Sequence, residues 1–279
     1  MAEHNLLAIL GAGVMGETVL SGLLRAGWNS DRIIATDRRT ERQVELEAKY
    51  GITMMTNEEA AAKADTVILV VKPQDMRDLL TEIAPVVSSS TLIVSLAAGV
   101  DTASIEERLP TGTPVVRVMP NTPAQVDEGM AAISPGAHSD EEHLARVSEL
   151  MSATGRVVTV PERYQDAVTA ISGSGPAYLF FVVEAMIEAG VHLGLPRDTA
   201  TELVVQTMLG SAKLLRETGE HPTVLRERVT SPGGTTAAAI RQLEDHKVRA
   251  AFITAMESAR DRSRDLAKAA RENGANGRP

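Results

Sequence analysis

The chain is 279 residues long, enough for about two domains of ordinary size. Hydrophobic residues make up 43% and aromatic residues only 3%, so we expect a core of aliphatic side chains. The formal net charge of −9 gives no general attraction for nucleic acid or for an anionic membrane surface. Because cysteine is absent, disulfides, thiol nucleophiles and cysteine-bound metals are excluded.

The sequence also predicts a soluble, cytoplasmic protein with no membrane partner. The first predicted strand begins at Leu6, which leaves no room for a signal peptide. No apolar run reaches the roughly 20 residues that a membrane-spanning helix needs. The six histidines show no metal-ligand spacing, so no metal site is predicted.

A glycine-rich turn follows the first predicted strand, residues 6–10, and precedes a predicted helix at 17–26. Its sequence is Gly11-Ala12-Gly13-Val14-Met15-Gly16. Strand, glycine turn and helix N-terminus in this order predict a dinucleotide phosphate site. The glycines allow a tight turn and a close approach of backbone to pyrophosphate, while the helix N-terminus offers N–H groups. The alternative is a tight strand-to-helix turn without a ligand.

The second predicted strand, residues 32–36, ends at Asp37, Arg38 and Arg39. An acidic residue at this distance from the glycine turn binds the adenosine ribose in many such folds and favours NAD. Two arginines beside it favour the 2′-phosphate of NADP. The two signals conflict, and the stretch can also be only the polar start of the helix predicted at 41–50.

Strand and helix patterns continue to alternate as far as residue 160. Such alternation predicts a mostly parallel sheet with helical crossovers. The further predicted strands are 51–55, 65–71, 91–96, 114–118, 129–133 and 156–160, and the further helices are 57–62, 102–109 and 140–153.

Polar groups at the ends of two of these strands suggest further ligand contacts. Val71, Lys72 and Pro73 close the strand at 65–71, and Asn121 lies between two prolines after the strand at 114–118. Ligands bind at this edge of open α/β sheets, but each stretch can equally be a strand-ending turn. Ala97, which follows the strand at 91–96, is assigned to the same cofactor site.

From residue 162 onward the pattern is helical, with predicted helices at 165–171, 177–193, 196–218, 224–229, 237–243 and 248–270. We therefore predict a dinucleotide-binding domain at 1–161, a helical domain at 162–271 and a flexible tail at 272–279. The helix at 177–193 is apolar around most of its circumference, so it must be buried on more than one side. A helical domain that pairs with a second copy explains this best; a helical cap on its own sheet domain is the alternative.

Two small-residue segments interrupt these helices, at 172–176 (Ser-Gly-Ser-Gly-Pro) and 231–236 (Ser-Pro-Gly-Gly-Thr-Thr). Hydroxyl and N–H groups, including those of Ser174, suit a small carboxylate without a cationic side chain. The structural alternatives are a helix kink for the first segment and an N-cap for the second.

The chain resembles the pyrroline-5-carboxylate reductases from about residue 6 to residue 266. The resemblance rests on the glycine turn, residues 71–74 (Val-Lys-Pro-Gln), residues 118–123 (Val-Met-Pro-Asn-Thr-Pro), residues 166–178 and residues 230–236. It implies an N-terminal Rossmann domain followed by an all-α dimerisation domain, in homodimers that assemble into larger rings such as a decamer. The implied reaction is reduction of 1-pyrroline-5-carboxylate to L-proline with NADPH or NADH.

The resemblance also implies roles for individual residues. Lys72, Pro73 and Asn121 correspond to positions around the nicotinamide, and Arg38 and Arg39 to contacts of the 2′-phosphate. Asp37 departs from the many relatives with a neutral residue there, which argues against a strict NADPH preference. Residues that correspond to the substrate-carboxylate loop are Ser231, Gly234, Thr235 and Thr236. Thr236 is the candidate catalytic hydroxyl beside the ring nitrogen.

Two other functions fit the same domain plan. A β-hydroxyacid dehydrogenase needs a lysine acid/base on the first helix of its second domain, and residues 172–194 contain none. A non-catalytic NAD(P)-binding protein would share the fold, although both small-residue segments are intact here.

Overall fold

The computed structural model describes residues 6–275, with side chains described as far as residue 268. Its eight-stranded sheet has the order β3-β2-β1-β4-β5-β6-β7-β8. Neighbouring strands are parallel except for the antiparallel pair β6 and β7. The strands are β1 (Leu7–Leu10), β2 (Ile33–Thr36), β3 (Thr53–Met54), β4 (Thr66–Leu69), β5 (Leu92–Ser95), β6 (Val115–Met119), β7 (Gly129–Pro135) and β8 (Gly155–Thr159).

Apolar clusters cover both faces of this sheet. On β1, Leu7 and Ile9 belong to one cluster while Ala8 and Leu10 belong to the other. Alternate residues of a strand point to opposite faces, so a strand covered on both sides has to be apolar throughout. The accompanying helices are α1 (Val14–Arg25), α2 (Thr40–Tyr50), α3 (Asn57–Lys63), α4 (Met76–Ile83), α5 (Thr102–Glu106) and α6 (Glu141–Ser152).

The strand order reverses at β1, because β2 lies on one side of it and β4 on the other. Open α/β sheets bind ligands in the crevice at the carboxyl ends of the strands at such a reversal. The predicted α/β class is confirmed, and the predicted glycine turn follows the strand at this reversal.

The second part of the chain is helical, as predicted. Its helices are α7 (Gln165–Val168), α8 (Gly175–His192), α9 (Arg197–Thr218), α10 (Pro222–Arg228), α11 (Thr235–Asp245) and α12 (Val248–Ala275). Close packing joins α8 to α9, since a Cβ on Gly190 would lie 2.9 Å from the Cβ of Ala200.

The predicted break in the helices at 172–176 is much shorter in the structure than the sequence suggests. A π-helical turn, Thr169–Gly173, leads into α8, and only Ser174 is non-helical. Pro176 stands at the second position of α8, where a proline is tolerated because its missing N–H would have no intrahelical partner. The helical stretch Glu162–His192 is thus long and apolar enough to cross a membrane, by length and composition only. In the single chain, 11% of its most apolar window is buried.

This stretch corrects the expectation that no apolar run is long enough to span a membrane.

The chain divides into two compact units, one formed by residues 1–174 and 259–279 and the other by residues 175–258. The predicted domain boundary at residue 161 stays a prediction. Within the first unit, the Ser263 hydroxyl donates to the Asp166 carboxylate at 2.8 Å. The last helix reaches Ala275, beyond its predicted end at residue 270; the flexible tail predicted at 272–279 stays a prediction, and residues 276–279 of that tail lie outside the described residues.

Candidate functional site

The glycine turn after β1 is held by backbone hydrogen bonds that it donates to the last residue of β2. Gly11 N and Ala12 N donate to the carbonyl oxygen of Thr36 at 3.2 and 2.8 Å. Gly11 has a φ of +101°, and a Cβ there would lie 2.5 Å from the Val70 carbonyl oxygen. Only glycine fits this position, because the conformation is left-handed and the backbone directly after β4 is too close.

The other two glycines of the turn have different surroundings. A Cβ on Gly16 would lie 2.3 Å from the carbonyl oxygen of Gly11, so Gly16 lets α1 approach the turn. A Cβ on Gly13 would meet nothing within 4 Å. Gly13 is the N-cap of α1 and has no side chain to cap it. The turn therefore presents an open backbone surface at a helix N-terminus, which carries the positive end of the helix dipole.

A cavity of about 930 Å³ lies at the carboxyl ends of β1, β2 and β4. Eight of the predicted cofactor residues line it: Gly11, Gly13, Val14, Asp37, Arg38, Arg39, Val71 and Lys72. Residues that are widely separated in sequence meet here because parallel strands end at the same edge of the sheet.

The remaining predicted cofactor residues, Met15, Gly16, Pro73, Ala97 and Asn121, do not line this cavity. Met15 packs against the apolar core of the sheet, and Ala97 is buried. Pro73 begins a 3₁₀ turn, Pro73–Asp75, for which Lys72 is the N-cap residue. Their assignment to cofactor binding stays a prediction.

The Asn121 amide is engaged within the protein on both sides. Its oxygen accepts from Met130 N at 2.8 Å, and its nitrogen donates to the Ser172 carbonyl and hydroxyl oxygens at 3.3 Å each. The amide therefore joins the end of β6 to the start of β7 and to the π-helical turn. These hydrogen bonds make it a structural tie.

Asp37 and Arg39 form an ion pair where the cavity meets the end of β2. One Asp37 carboxylate oxygen accepts from Arg39 N at 2.9 Å and from Arg39 Nε at 3.2 Å. Burial raises the pKa of Asp37, but these hydrogen bonds and the charges of Arg39 and Arg42 outweigh it and hold the pKa below its usual range. Asp37 is therefore ionised at neutral pH.

Arg38 is also paired, through its Nη2, with the Asp75 carboxylate at 2.9 Å, and its side chain is 81% exposed. Each of the two arginines predicted to bind a 2′-phosphate thus has a carboxylate partner. Each pair occupies one nitrogen of its guanidinium, so the other N–H groups of both arginines can donate to a 2′-phosphate, and a ribose hydroxyl could donate to Asp37 directly.

Seven polar residues that line the cavity were not predicted, among them Thr36, Gln43 and Asn57. Thr36 donates from its hydroxyl to Asn57 Oδ1 at 2.6 Å, and Gln43 Nε2 donates to the Asp37 carbonyl oxygen at 2.6 Å. All three line the cavity. Thr36 directly precedes Asp37 at the end of a predicted strand, a position that could have indicated it; Gln43 and Asn57 lie on helices and carry no such signal.

The segment 231–236 forms a tight turn before α11. Gly233 has a φ of +70°, Gly234 N donates to the Ser231 carbonyl oxygen at 3.0 Å, and a Cβ on Gly234 would lie 2.5 Å from Ser231 Oγ. Gly234 is the N-cap of α11, whose first residues are Thr235 and Thr236. No side chain caps this helix, so its first N–H groups remain available to an anion.

Ser174 lies in the first compact unit, at the end of the π-helical turn. Its N–H donates to the Thr169 carbonyl oxygen at 2.8 Å. Its predicted contact with substrate is untested by this geometry. Among the described residues, no group of three or more His, Asp or Glu side chains is arranged to hold a metal ion.

The cavity fits a dinucleotide. The open space over Gly13 and the N-terminus of α1 suit a pyrophosphate. The polar groups at the end of β2 suit a ribose. A volume of about 930 Å³ lies at the upper end of the usual range for small-molecule and cofactor sites.

Comparisons with known proteins agree with this geometry. Residues 162–266 match the family model described as pyrroline-5-carboxylate reductase dimerisation, and residues 6–99 match the model described as NADP oxidoreductase coenzyme F420-dependent. A pyrroline-5-carboxylate reductase of Corynebacterium melassecola is 48% identical over 94% of this chain and 98% of its own length.

Solved structures extend the comparison to the fold. A pyrroline-5-carboxylate reductase of Coxiella burnetii superposes with a TM-score of 0.90 at 36% identity, over 94% of this chain and 98% of that one. A pyrroline carboxylate reductase of Plasmodium falciparum, solved with NADP bound, gives 0.85 at 29% identity, over 95% and 99%. The chain belongs to the pyrroline-5-carboxylate reductase family of NAD(P)H-dependent oxidoreductases, which catalyse the final step of proline biosynthesis.

Proposed function

We propose that the chain reduces the imine of 1-pyrroline-5-carboxylate to L-proline, with the dinucleotide on the turn at 11–16 and the substrate carboxylate on the turn at 231–236. The observation that carries the substrate assignment is the uncapped N-terminus of α11 beside a segment of small and hydroxyl residues. Its N–H groups and the hydroxyls of Ser231, Thr235 and Thr236 can bind a carboxylate without a cationic side chain. Ser174 supplies a further polar contact.

The reaction asks the protein mainly for orientation and for exclusion of water. A dinucleotide held on the turn at 11–16 would supply a hydride for a new C–H bond at the imine carbon, and the electron pair of the C=N bond would pass to nitrogen. A carboxylate fixed at α11 holds the ring in one orientation. The Thr236 hydroxyl accepts a hydrogen bond from the protonated ring nitrogen, which keeps the imine in its electrophilic form.

The helical part of the chain supports a homodimer. Large apolar side chains are exposed in the single chain, among them Phe180, Phe181 and Leu209, which are 68%, 71% and 60% exposed. A second copy would bury them, and would also account for the apolar character of the stretch Glu162–His192 without a membrane. We further propose that such dimers assemble into a decamer and that the protein is cytoplasmic.

The primary test is oxidation of NADPH or NADH, followed by absorbance at the nicotinamide band, after addition of pyrroline-5-carboxylate. Thr236→Ala is expected to lower kcat/KM about 10-fold or more, the typical loss when a hydrogen bond to a charged group is removed. Thr236→Ser, which keeps the hydroxyl, is the matched control and is expected to retain most activity.

Two results would contradict the proposal. Failure of the unmodified chain to oxidise either cofactor, although it binds one, would favour a non-catalytic NAD(P)-binding protein. Full activity of Thr236→Ala with an unchanged KM for the substrate would remove Thr236 from the reaction. Light scattering tests the assembly, since a dimer and a decamer have two and ten times the chain mass of 29.7 kDa.

A further inference from the structure

Arg42 contacts the glycine turn from the side of α2. Its Nε donates to the Ala12 carbonyl oxygen at 3.3 Å, and its guanidinium pairs with Glu17 on α1 and with Glu45 at 2.8 Å. The Arg42 side chain is only 14% exposed. One planar cation therefore joins the turn, the first helix and the second helix.

This contact determines the orientation of one peptide group. The described chain contains no cis peptide bond, and the C=O and N–H of a trans peptide point in opposite directions. With the Ala12 carbonyl directed at Arg42, the N–H of Gly13 points the other way. Gly13 borders the cavity, and its N–H has no backbone acceptor among the described residues, so this N–H is available to a phosphate.

Arg42 is itself held in place by a network around Glu17. Lys49 Nζ and the Tyr50 hydroxyl both donate to Glu17 Oε1, at 2.9 and 2.8 Å. Burial raises the pKa of Glu17, but the hydrogen bonds from Lys49, Arg42 and Tyr50 outweigh it and lower the pKa to about 2. Glu17 is thus an anion at any pH at which the enzyme would work, and it keeps the guanidinium beside Ala12.

We propose that Arg42 is a positioning residue for cofactor binding, which orients the Ala12–Gly13 peptide so that its N–H group can donate to the dinucleotide pyrophosphate. The inference rests on the proposed cofactor site. It predicts that Arg42 affects NADH and NADPH equally, because both carry the same pyrophosphate. This separates Arg42 from Asp37, Arg38 and Arg39, which would affect the two cofactors differently.

The test is the dissociation constant of NADH and of NADPH, measured by nicotinamide fluorescence on the full chain without substrate. Arg42→Met is expected to raise both constants about 10-fold, because the Ala12–Gly13 peptide is then free to turn and the Gly13 N–H loses its hydrogen bond to the charged pyrophosphate. Lys49→Met is the matched control, because it removes an ion pair of Glu17 but leaves the contact with Ala12. Its dissociation constants are expected to stay within about 2-fold of the unmodified chain.

Arg42→Lys provides a second variant in case Arg42→Met folds poorly. A single ammonium can pair with Glu17 but lacks the fork that reaches Glu17, Glu45 and Ala12 together. We expect it to recover the melting temperature without recovering either dissociation constant, and to leave the KM for pyrroline-5-carboxylate unchanged.

Three results would overturn the inference: unchanged constants in Arg42→Met, an equal rise in Lys49→Met, or full recovery of affinity in Arg42→Lys. The last would mean that charge beside the turn matters rather than the bond to Ala12. A chain that binds neither NADH nor NADPH before substitution would instead contradict the proposed cofactor site, so the two failures are distinguishable.

Discussion

Alanine substitutions at Gly13 and Gly16 should separate cofactor binding from stability, although the two glycines are three residues apart. At Gly16 the new Cβ would lie 2.3 Å from the Gly11 carbonyl oxygen, about 0.7 Å or more inside a normal contact. Because the obstacle is backbone, α1 has to move away from the turn. Overpacking of this kind costs about 1–3 kcal/mol, and the better helix propensity of alanine returns up to about 1 kcal/mol.

The expected net loss for Gly16→Ala is therefore about 1–2 kcal/mol, which lowers the melting temperature of a unit of this size by about 2–8 °C. At Gly13 the Cβ meets nothing within 4 Å and φ is −68°, so alanine is sterically accepted. The loss of a favourable N-cap and the reduced entropy of the unfolded chain nearly offset each other. We expect a melting temperature within about 2 °C of the unmodified chain.

Cofactor affinity should respond in the opposite order, with a larger loss in Gly13→Ala than in Gly16→Ala. The methyl group of Gly13→Ala occupies the open surface where the pyrophosphate is expected, so the dissociation constant of NADH should rise about 10–100-fold. Thermal unfolding without cofactor and fluorescence titration with NADH measure the two effects independently. A Gly13→Ala variant that binds NADH normally, or that melts lower than Gly16→Ala, would refute this reasoning.

Three further predictions concern other parts of the molecule. Asp37→Ser removes an ionised carboxylate and frees Arg39, so the affinity for NADPH relative to NADH should increase about 10-fold in parallel titrations; an unchanged ratio would remove Asp37 from cofactor selection. Glu17 has its pKa lowered from 4.5 to about 2, so it stabilises the fold above pH 4.5 and this contribution is lost as the pH falls towards 2. Glu17→Gln should flatten that part of the stability profile measured by denaturant unfolding, and an equally steep loss in the variant would argue against it. Phe181→Asp should shift the proposed homodimer towards monomer in sedimentation experiments, and an unaltered mass would place Phe181 outside the interface.

The sequence predicts the strands of the sheet and the glycine turn that follows β1 well, because the relevant signals are local. A fully apolar strand such as Leu7–Leu10 has to be covered on both faces, and a glycine turn directly after it allows few other structures. The antiparallel direction of β7 carries no such signal, since strand direction depends on how the preceding connection folds.

The helical segment at 172–176 shows where local reading fails. Two glycines and a proline are typical of a helix break, yet a π-helical turn absorbs the irregularity and Pro176 lies at a tolerated position.

The conflict between NAD and NADP signals at Asp37, Arg38 and Arg39 is visible in the sequence. The pairings that bear on it, Arg39 with Asp37 and Arg38 with Asp75, depend on side-chain conformations that composition and spacing do not encode.

The hydrogen bond between Ser263 and Asp166 has a consequence for the order of synthesis. The compact unit that contains the sheet draws on residues 1–174 and again on residues from 259 onward. At a translation rate of about 5–20 residues per second, the interval between emergence of residue 174 and residue 263 is about 5–20 s. During that time the nascent sheet has all its strands but lacks α12, so this compact unit is completed only after the intervening helices α8 to α11 have been synthesised.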